Sequence, residues 1–252
     1  MLINELETQG NWLFRWRSFV PLVLLPFGIY ALAEHNHYLG DSDTIELFYG
    51  IGCFLISLGG LVVRGVALGF ALPGSSGRNT TEQIADNLNT KGIYSVVRHP
   101  LYLGNMLMVL GVMLFTKSLM FTLAGMLFYL LFYERIIAAE EAFLAPKFGE
   151  AYRLWADRTP ALWPRFSQWE SPGYPFSMRT AIKGEFYGFT ALVTIMLFMD
   201  MLKNWFTVGR IMTDTDLVWL ALFVLSLITF FLLRYLRKHT RYFEKPQINT
   251  DS

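Results

Sequence analysis

The sequence predicts an all-α polytopic membrane helical bundle of about six transmembrane helices, including a short helical hairpin. Three observations lead there. Apolar residues gather in runs long enough to cross a bilayer and almost free of charge. Lys and Arg crowd the loops at one end of those runs. Aromatic residues such as Trp12, Trp16, Tyr38 and Trp205 mark the span ends, as interfacial anchors do.

The first span runs roughly from Arg17 to Ala33. Glu5 and Glu7 precede its first basic residues, a poor secretory signal, so the span is expected to be retained. The second runs from Ile45 to Leu72 and is interrupted by Arg64. A third apolar stretch covers Leu101 to Tyr133, with Lys117-Ser118 its one polar break. As a single helix it would be about 50 Å long, against a hydrocarbon core of about 30 Å. A tight hairpin turning at Lys117-Ser118, with two short spans, fits better. The last two spans run roughly from Phe186 to Phe206 and from Leu217 to Leu233.

Between them lie two longer segments. Residues 73–90 are polar and rich in Gly, Ser, Thr and Asn, hence a loop. The segment 134–185 begins as a helix carrying Glu134, Arg135, Glu140 and Glu141. It then turns rich in Pro, Gly and aromatics around Trp163 to Phe176, which reads as an interfacial strap. The chain therefore divides into an N-terminal span and outer loop (1–44), a core (45–164), a linker (165–185) and a two-helix module with a basic tail (186–252).

The loop cations set the expected orientation. Arg15, Arg17, Arg78, Lys91, Arg98, Arg135, Lys147, Arg153, Arg158, Arg165, Arg179, Lys183, Arg234, Arg237, Lys238, Arg241 and Lys245 fall at one end, and only Lys117, Lys203 and Arg210 at the other. By the positive-inside rule the crowded end, with both termini, is cytosolic. The loop Glu34 to Glu46 has no Lys or Arg and faces out. A net charge of +1 points to no nucleic-acid partner. The single cysteine, Cys53, sits in an apolar run and reads as a packed thiol.

Few polar groups lie at membrane depth, and these are the candidates for chemistry. Arg64 sits among Val62, Val63, Val66 and Ala67. At the bilayer centre an Arg costs roughly 2.5–3.5 kcal/mol on insertion scales. It either snorkels to head groups or presents a cation to an internal pocket. In the run Gly92 to Gly104, Pro100 suits a first helical turn, where its missing N–H costs nothing. Arg98 and His99 then stand at the mouth of that helix, where exposed N–H groups favour an anion. Gly104, one turn in, lets another group approach the backbone. Glu140 and Glu141 point about 100° apart on a helix, so at most one would face a pocket squarely. His35 and His37 in the outer loop have no third ligand in view, and no metal is expected. No P-loop, dinucleotide fingerprint, HExxH or nucleophile elbow occurs.

These pieces together resemble the isoprenylcysteine carboxyl methyltransferase and phospholipid methyltransferase superfamily. The residues that carry the resemblance are Leu88 to Gly104, with Arg98-His99-Pro100-Leu101-Tyr102-Leu103-Gly104 at its end. Glu140-Glu141-Ala142-Phe143-Leu144, Phe148-Gly149, Tyr152, Arg158-Thr159-Pro160 and Leu162-Trp163-Pro164 follow. Arg64 to Gly69 resembles the family's Arg-bearing helix. The match covers roughly residues 50–164, which makes 45–164 the methyltransferase core. Ile93 stands where many members have Pro, and the last two spans lie outside the compact family core.

The resemblance implies an S-adenosylmethionine-dependent methyltransferase whose cofactor pocket opens to the cytosol, with a lipid or lipidated acceptor entering from the bilayer. Gly92, Tyr94, His99, Pro100, Tyr102, Gly104, Glu140 and Tyr152 are then expected at the cofactor, and Arg64, Arg98 and Glu141 in catalysis. The cofactor's carboxylate suits Arg98 and the helix N-terminus. Its ribose diol suits Glu140 or Glu141, and its sulfonium an aromatic face from Tyr94, Tyr102 or Tyr152. An anionic oxygen acceptor needs no base and could be held by Arg64, whereas an amine acceptor would need a carboxylate base. Phospholipid amine N-methylation, NADPH-dependent reduction and non-enzymatic lipid binding are the competing readings.

Overall fold

The computed structural model describes residues 2–35, 37–72, 85–173, 175–213 and 216–240. The expected loop 73–90 lies outside the described residues up to 84, with Arg78, and so do Arg241 and Lys245 of the basic tail. Apart from one isolated bridge between Gly92 and Glu170, the described residues form helices and turns. A chain in lipid must satisfy its backbone groups internally, and helices do that within each segment.

The chain opens with an amphipathic helix, α1 (Leu2–Arg15), ahead of the first expected span. Gly10 lets it lie directly on the Arg135 backbone and the Ala139 side chain. The first span is itself broken. A 3₁₀ turn over Val20–Leu24 and the helix α2 (Leu25–Glu34) each carry a proline near their start, Pro21 and Pro26. Together with that turn, α2 is bent 84° from α1. Proline lacks the N–H that would carry one helix through such a junction.

Helix α3 (Asp43–Gly69) is one of four helices long and apolar enough to cross a bilayer. A short turn, α4 (Ile93–Val96), leads into α5 (Pro100–Leu114), which at 15 residues is only about 22 Å long. The expected hairpin is present. Lys117 takes a left-handed conformation (φ 61°), and Ser118 caps the next helix by accepting from the Phe121 N–H. That helix, α6 (Leu119–Arg158), runs 40 residues, longer than a bilayer requires. It breaks at Gly149, whose φ 56° and ψ −126° suit glycine alone. Beyond the break, Tyr152 and Trp155 pack against Tyr94 and Ala67. After a 3₁₀ turn at Phe166–Gln168 come α7 (Met178–Val208) and α8 (Asp216–His239), both longer than the apolar runs from which they were expected.

The tightest crossing joins α3 and α5. Gly60 faces the Gly104 carbonyl, Gly111 faces Ser57 and the Cys53 carbonyl, and the Ser57 hydroxyl donates to the Met108 carbonyl at 2.7 Å. Lipid tails are as apolar as leucine, so small residues that let backbones touch hold such helices together. One apolar core joins Cys53, Phe54, Phe115, Val193, Met196 and Trp219 across α3, the hairpin, α7 and α8. A second joins Met106, Tyr129, Phe132, Tyr133 and Ile136 between α5 and α6. Leu22, Leu55, Val62, Leu127, Phe198 and Leu225 point outward, the belt expected of an integral membrane protein.

At the end of the bundle away from the loop cations, charges are buried together. Glu46 of α3 takes Lys117 Nζ at 3.2 Å and Lys203 Nζ at 3.9 Å. Lys203 also reaches Asp200 at 2.5 Å. Asn204 donates to both Asp216 oxygens, at 2.8 and 2.9 Å, and accepts from Tyr38 at 3.1 Å. This network ties α7 and α8 to α3 and the hairpin.

Candidate functional site

At the opposite end, Pro100 opens α5 and leaves Arg98 and His99 in front of its first turn. The Arg98 and His99 backbone N–H groups are already taken, by the Pro160 and Ala161 carbonyls at 2.8 and 3.1 Å. The chain after α6 thus returns beside the helix mouth and holds it shut from behind. No free backbone nest for an anion remains at these two residues.

Their side chains meet the two carboxylates of α6. His99 is buried, with Nε2 3.1 Å from Glu141 Oε1 and Nδ1 3.5 Å from Glu140 Oε2. The sequence expectation that at most one of these adjacent acids would face a pocket needs correcting. His99 lies across both, so each carboxylate meets a different ring nitrogen. The doubly protonated imidazolium is the form that can donate to both. Burial opposes that charge, but the bonds to Glu140 and Glu141 outweigh it and raise the His99 pKa above its ordinary 6.5. The Tyr102 ring stacks on His99 (5.7 Å, 17°), and Tyr133 stacks on Tyr102 (4.8 Å, 24°).

Arg98 is not left open for a ligand carboxylate. NH2 reaches Glu141 Oε1 at 2.8 Å, and NH1 donates to the Ala156 and Thr159 carbonyls at 2.5 and 3.0 Å. It closes the C-terminal end of α6, where carbonyls lack helical partners. Three buried polar atoms of the cluster nevertheless have no hydrogen-bond partner among the described residues: Arg98 Nε, Tyr152 OH and Glu140 Oε2, whose contact with His99 is a long ion pair. Unpaired buried polar groups are rare, and each calls for a partner such as water, an ion or a ligand.

Tyr94 and Tyr152 stand beside this cluster, packed with Trp155, whose indole N–H donates to the Tyr94 carbonyl at 2.9 Å. Gly92 does not open onto the cluster. Its φ of 63° makes the turn into α4, and its N–H bonds to the Glu170 carbonyl. A cavity of about 340 Å³ adjoins that turn, lined by Ser95, Arg158, Ser167, Gln168, Trp169 and Glu170. Gln168 Oε1 is also buried, without a hydrogen-bond partner among the described residues.

Gly104 was expected to leave room for a ligand. It leaves room instead for the Arg64 stem and the Gly60 carbonyl. Arg64 in turn is not a lone cation. Its Nε and NH2 fork onto Glu185 of α7 at 3.0 and 2.7 Å, and NH1 donates to Asn105 at 2.6 Å. Glu185, Asn105 and Tyr133 were not singled out in the sequence. Glu185 lies inside the segment read as a linker, one residue before the apolar run, so nothing local marked it as a partner of Arg64.

A family model for phospholipid methyltransferases matches residues 47–151, from α3 to the break in α6. A cobalt-zinc-cadmium resistance protein of Cupriavidus metallidurans is 40% identical over 160 residues, covering 62% of this chain and 68% of its own. The chain belongs to the isoprenylcysteine and phospholipid methyltransferase superfamily. A nickel-cobalt-cadmium resistance protein of Alcaligenes xylosoxydans xylosoxydans is 31% identical over 62% of this chain and 66% of its own. The protein-S-isoprenylcysteine O-methyltransferase of Schizosaccharomyces pombe is 30% identical over 43% of this chain and 52% of its own. No solved structure matches the chain. Within this membrane methyltransferase family member, the cluster of His99, Glu140 and Glu141 falls inside the family match, whereas Glu185 falls outside it. No group of three or more His, Cys, Asp or Glu among the described residues is placed to hold a metal ion.

Proposed function

We propose that this protein transfers a methyl group from S-adenosylmethionine to an anionic oxygen, carboxylate or phosphate, of a membrane lipid or lipidated acceptor. The observation that carries the reading is the buried cluster of Arg98, His99, Glu140 and Glu141 with its three unpaired polar atoms. The residues fit the cofactor's groups. Glu140 Oε2 can accept from the ribose diol or the amino group, and Arg98 Nε and Tyr152 OH can donate to its carboxylate.

The cofactor, when bound, supplies an electrophilic methyl group on its sulfonium. The chain's own task is alignment and exclusion of water. His99, gripped by two carboxylates, keeps the Glu140 and Glu141 side chains at fixed positions around the pocket. Arg64 lies across Gly104, one turn from His99, and is the cation nearest the acceptor side. By the distribution of loop cations the pocket and both termini face the cytosol.

A second reading has one observation in its favour. Arg64 is already neutralised by Glu185, so a neutral amine acceptor would meet no excess positive charge there. Mass spectrometry decides between them. Purified protein is incubated with methyl-labelled S-adenosylmethionine and total lipid extract, and the labelled product is identified. Methyl ester supports the proposal, N-methylation supports the second reading, and failure to bind the cofactor overturns both.

A further inference from the structure

Arg64 is held on two sides, and the partner on one of them comes from outside the family match. Of its five N–H groups, Nε and one on NH2 go to Glu185 and one on NH1 goes to Asn105. One N–H remains on each terminal nitrogen, without a partner among the described residues. The Arg64 side chain is 23% exposed and the Glu185 side chain only 8%. Part of the Arg64 side chain is thus accessible, while the carboxylate that holds it is nearly enclosed.

The backbone is shaped to bring the pair together. Gly184 and Gly188 bracket Glu185 on α7, and they face Leu68 and Leu61 of α3. A Cβ at Gly184 would collide with Leu68, and one at Gly188 would crowd Leu61 and the Glu185 carboxylate itself. Small residues four apart let two membrane helices approach closely. Gly104 performs the same service on α5, where the Arg64 stem crosses toward Asn105.

We propose that Glu185 is a positioning residue of the acceptor side, resting on the methyl-transfer reading above. It fixes the Arg64 fork so that the two remaining N–H groups aim at the acceptor oxyanion. The module of α7 and α8 is then part of the active site. A forked pair also sets a direction that a lone flexible cation lacks, because the planar guanidinium cannot rotate without breaking both bonds. The recognised group is an oxygen bearing negative charge, whether carboxylate or phosphate.

The test uses the full chain in lipid nanodiscs, with methyl-labelled S-adenosylmethionine and total lipid extract. Glu185→Gln is expected to slow methyl incorporation about tenfold or more while cofactor affinity stays within about twofold. In an Arg64→Met background the same change is expected to have no further effect, since it acts through Arg64. Glu185→Asp keeps the charge and retracts it by one methylene, so turnover is expected to fall between wild type and Glu185→Gln. If Glu185→Gln does not fold, judged by lost cofactor binding, the Asp variant alone decides. Lowered turnover at normal cofactor affinity supports the proposal and wild-type turnover overturns it. Equal fractional losses from Glu185→Gln with and without Arg64 also overturn it. Mass spectrometry of the product tells carboxylate from phosphate. No label in any lipid with the wild type would remove the methyl-transfer reading itself, whereas a labelled wild type with a silent Glu185→Gln removes only the role of Glu185.

Discussion

One oxygen of Glu141 receives both members of the motif that precedes α5: Oε1 stands 2.8 Å from Arg98 NH2 and 3.1 Å from His99 Nε2. This single atom links the mouth of α5 to the far end of the α6 membrane segment. It also makes the three side chains one electrostatic unit, in which a change at one is felt by the others.

Cofactor affinity should report that unit. His99→Ala removes the ring that lies across Glu140 and Glu141 and takes from each carboxylate its His99 contact, leaving Arg98 as the cation paired with Glu141. A hydrogen bond to a charged group is worth about 1.5–3 kcal/mol, so S-adenosylmethionine binding should weaken about tenfold or more. Calorimetry in detergent measures it. Unchanged affinity would move the cofactor away from this cluster.

The same histidine should leave a mark on stability against pH. Its folded pKa is raised above 6.5, so the protonated form is favoured by folding. That contribution is fully present below the unfolded value and is lost as pH rises through the raised folded value. Thermal midpoints taken from about pH 6 to about pH 9 should therefore fall for the wild type and stay flatter for His99→Gln. A wild-type midpoint that climbs over this range would contradict an imidazolium between Glu140 and Glu141.

The charged network at the other end of the bundle predicts a different phenotype. Lys203→Met would strand Asp200 and weaken the hold on Glu46, all three being buried. Breaking a buried pair by removing one partner costs about 3–5 kcal/mol. The variant should lose thermal stability steeply, and a second change, Asp200→Asn, should restore part of it. Cofactor affinity of whatever folds should stay near wild type, because the network touches none of the proposed cofactor residues.

Topology offers an independent check. Reporter tags at residue 1, within 73–90 and after Lys245 should all respond as cytosolic, and a tag near Asp41 as external. A cytosolic signal from Asp41 would reverse the placement of the pocket.

Much of this architecture is legible in the sequence. The run from Leu101 to Tyr133 is too long and too apolar for one span, and Lys117-Ser118 is its one polar break, so a hairpin follows from length and solvation alone. The helix α1 was harder to see. Its apolar residues cover only one face, and its fit against α6 depends on Gly10 meeting the Arg135 backbone.

What the sequence determined by itself was everything that depends on a residue and its near neighbours: which segments enter lipid, where Pro100 starts a helix, and which residue types carry the family signature. Only the tertiary structure decided the pairings. His99 meets Glu141 across 42 residues and Arg64 meets Glu185 across 121. An isolated Arg in an apolar span reads as a cation awaiting an anion, because a span shows its own neighbours and not the helix that will pack beside it. The electrostatics of a buried group is set by whatever lies within a few ångströms of it. In a bundle those neighbours come from other helices, brought close here by glycines whose meaning appears only once the helices cross.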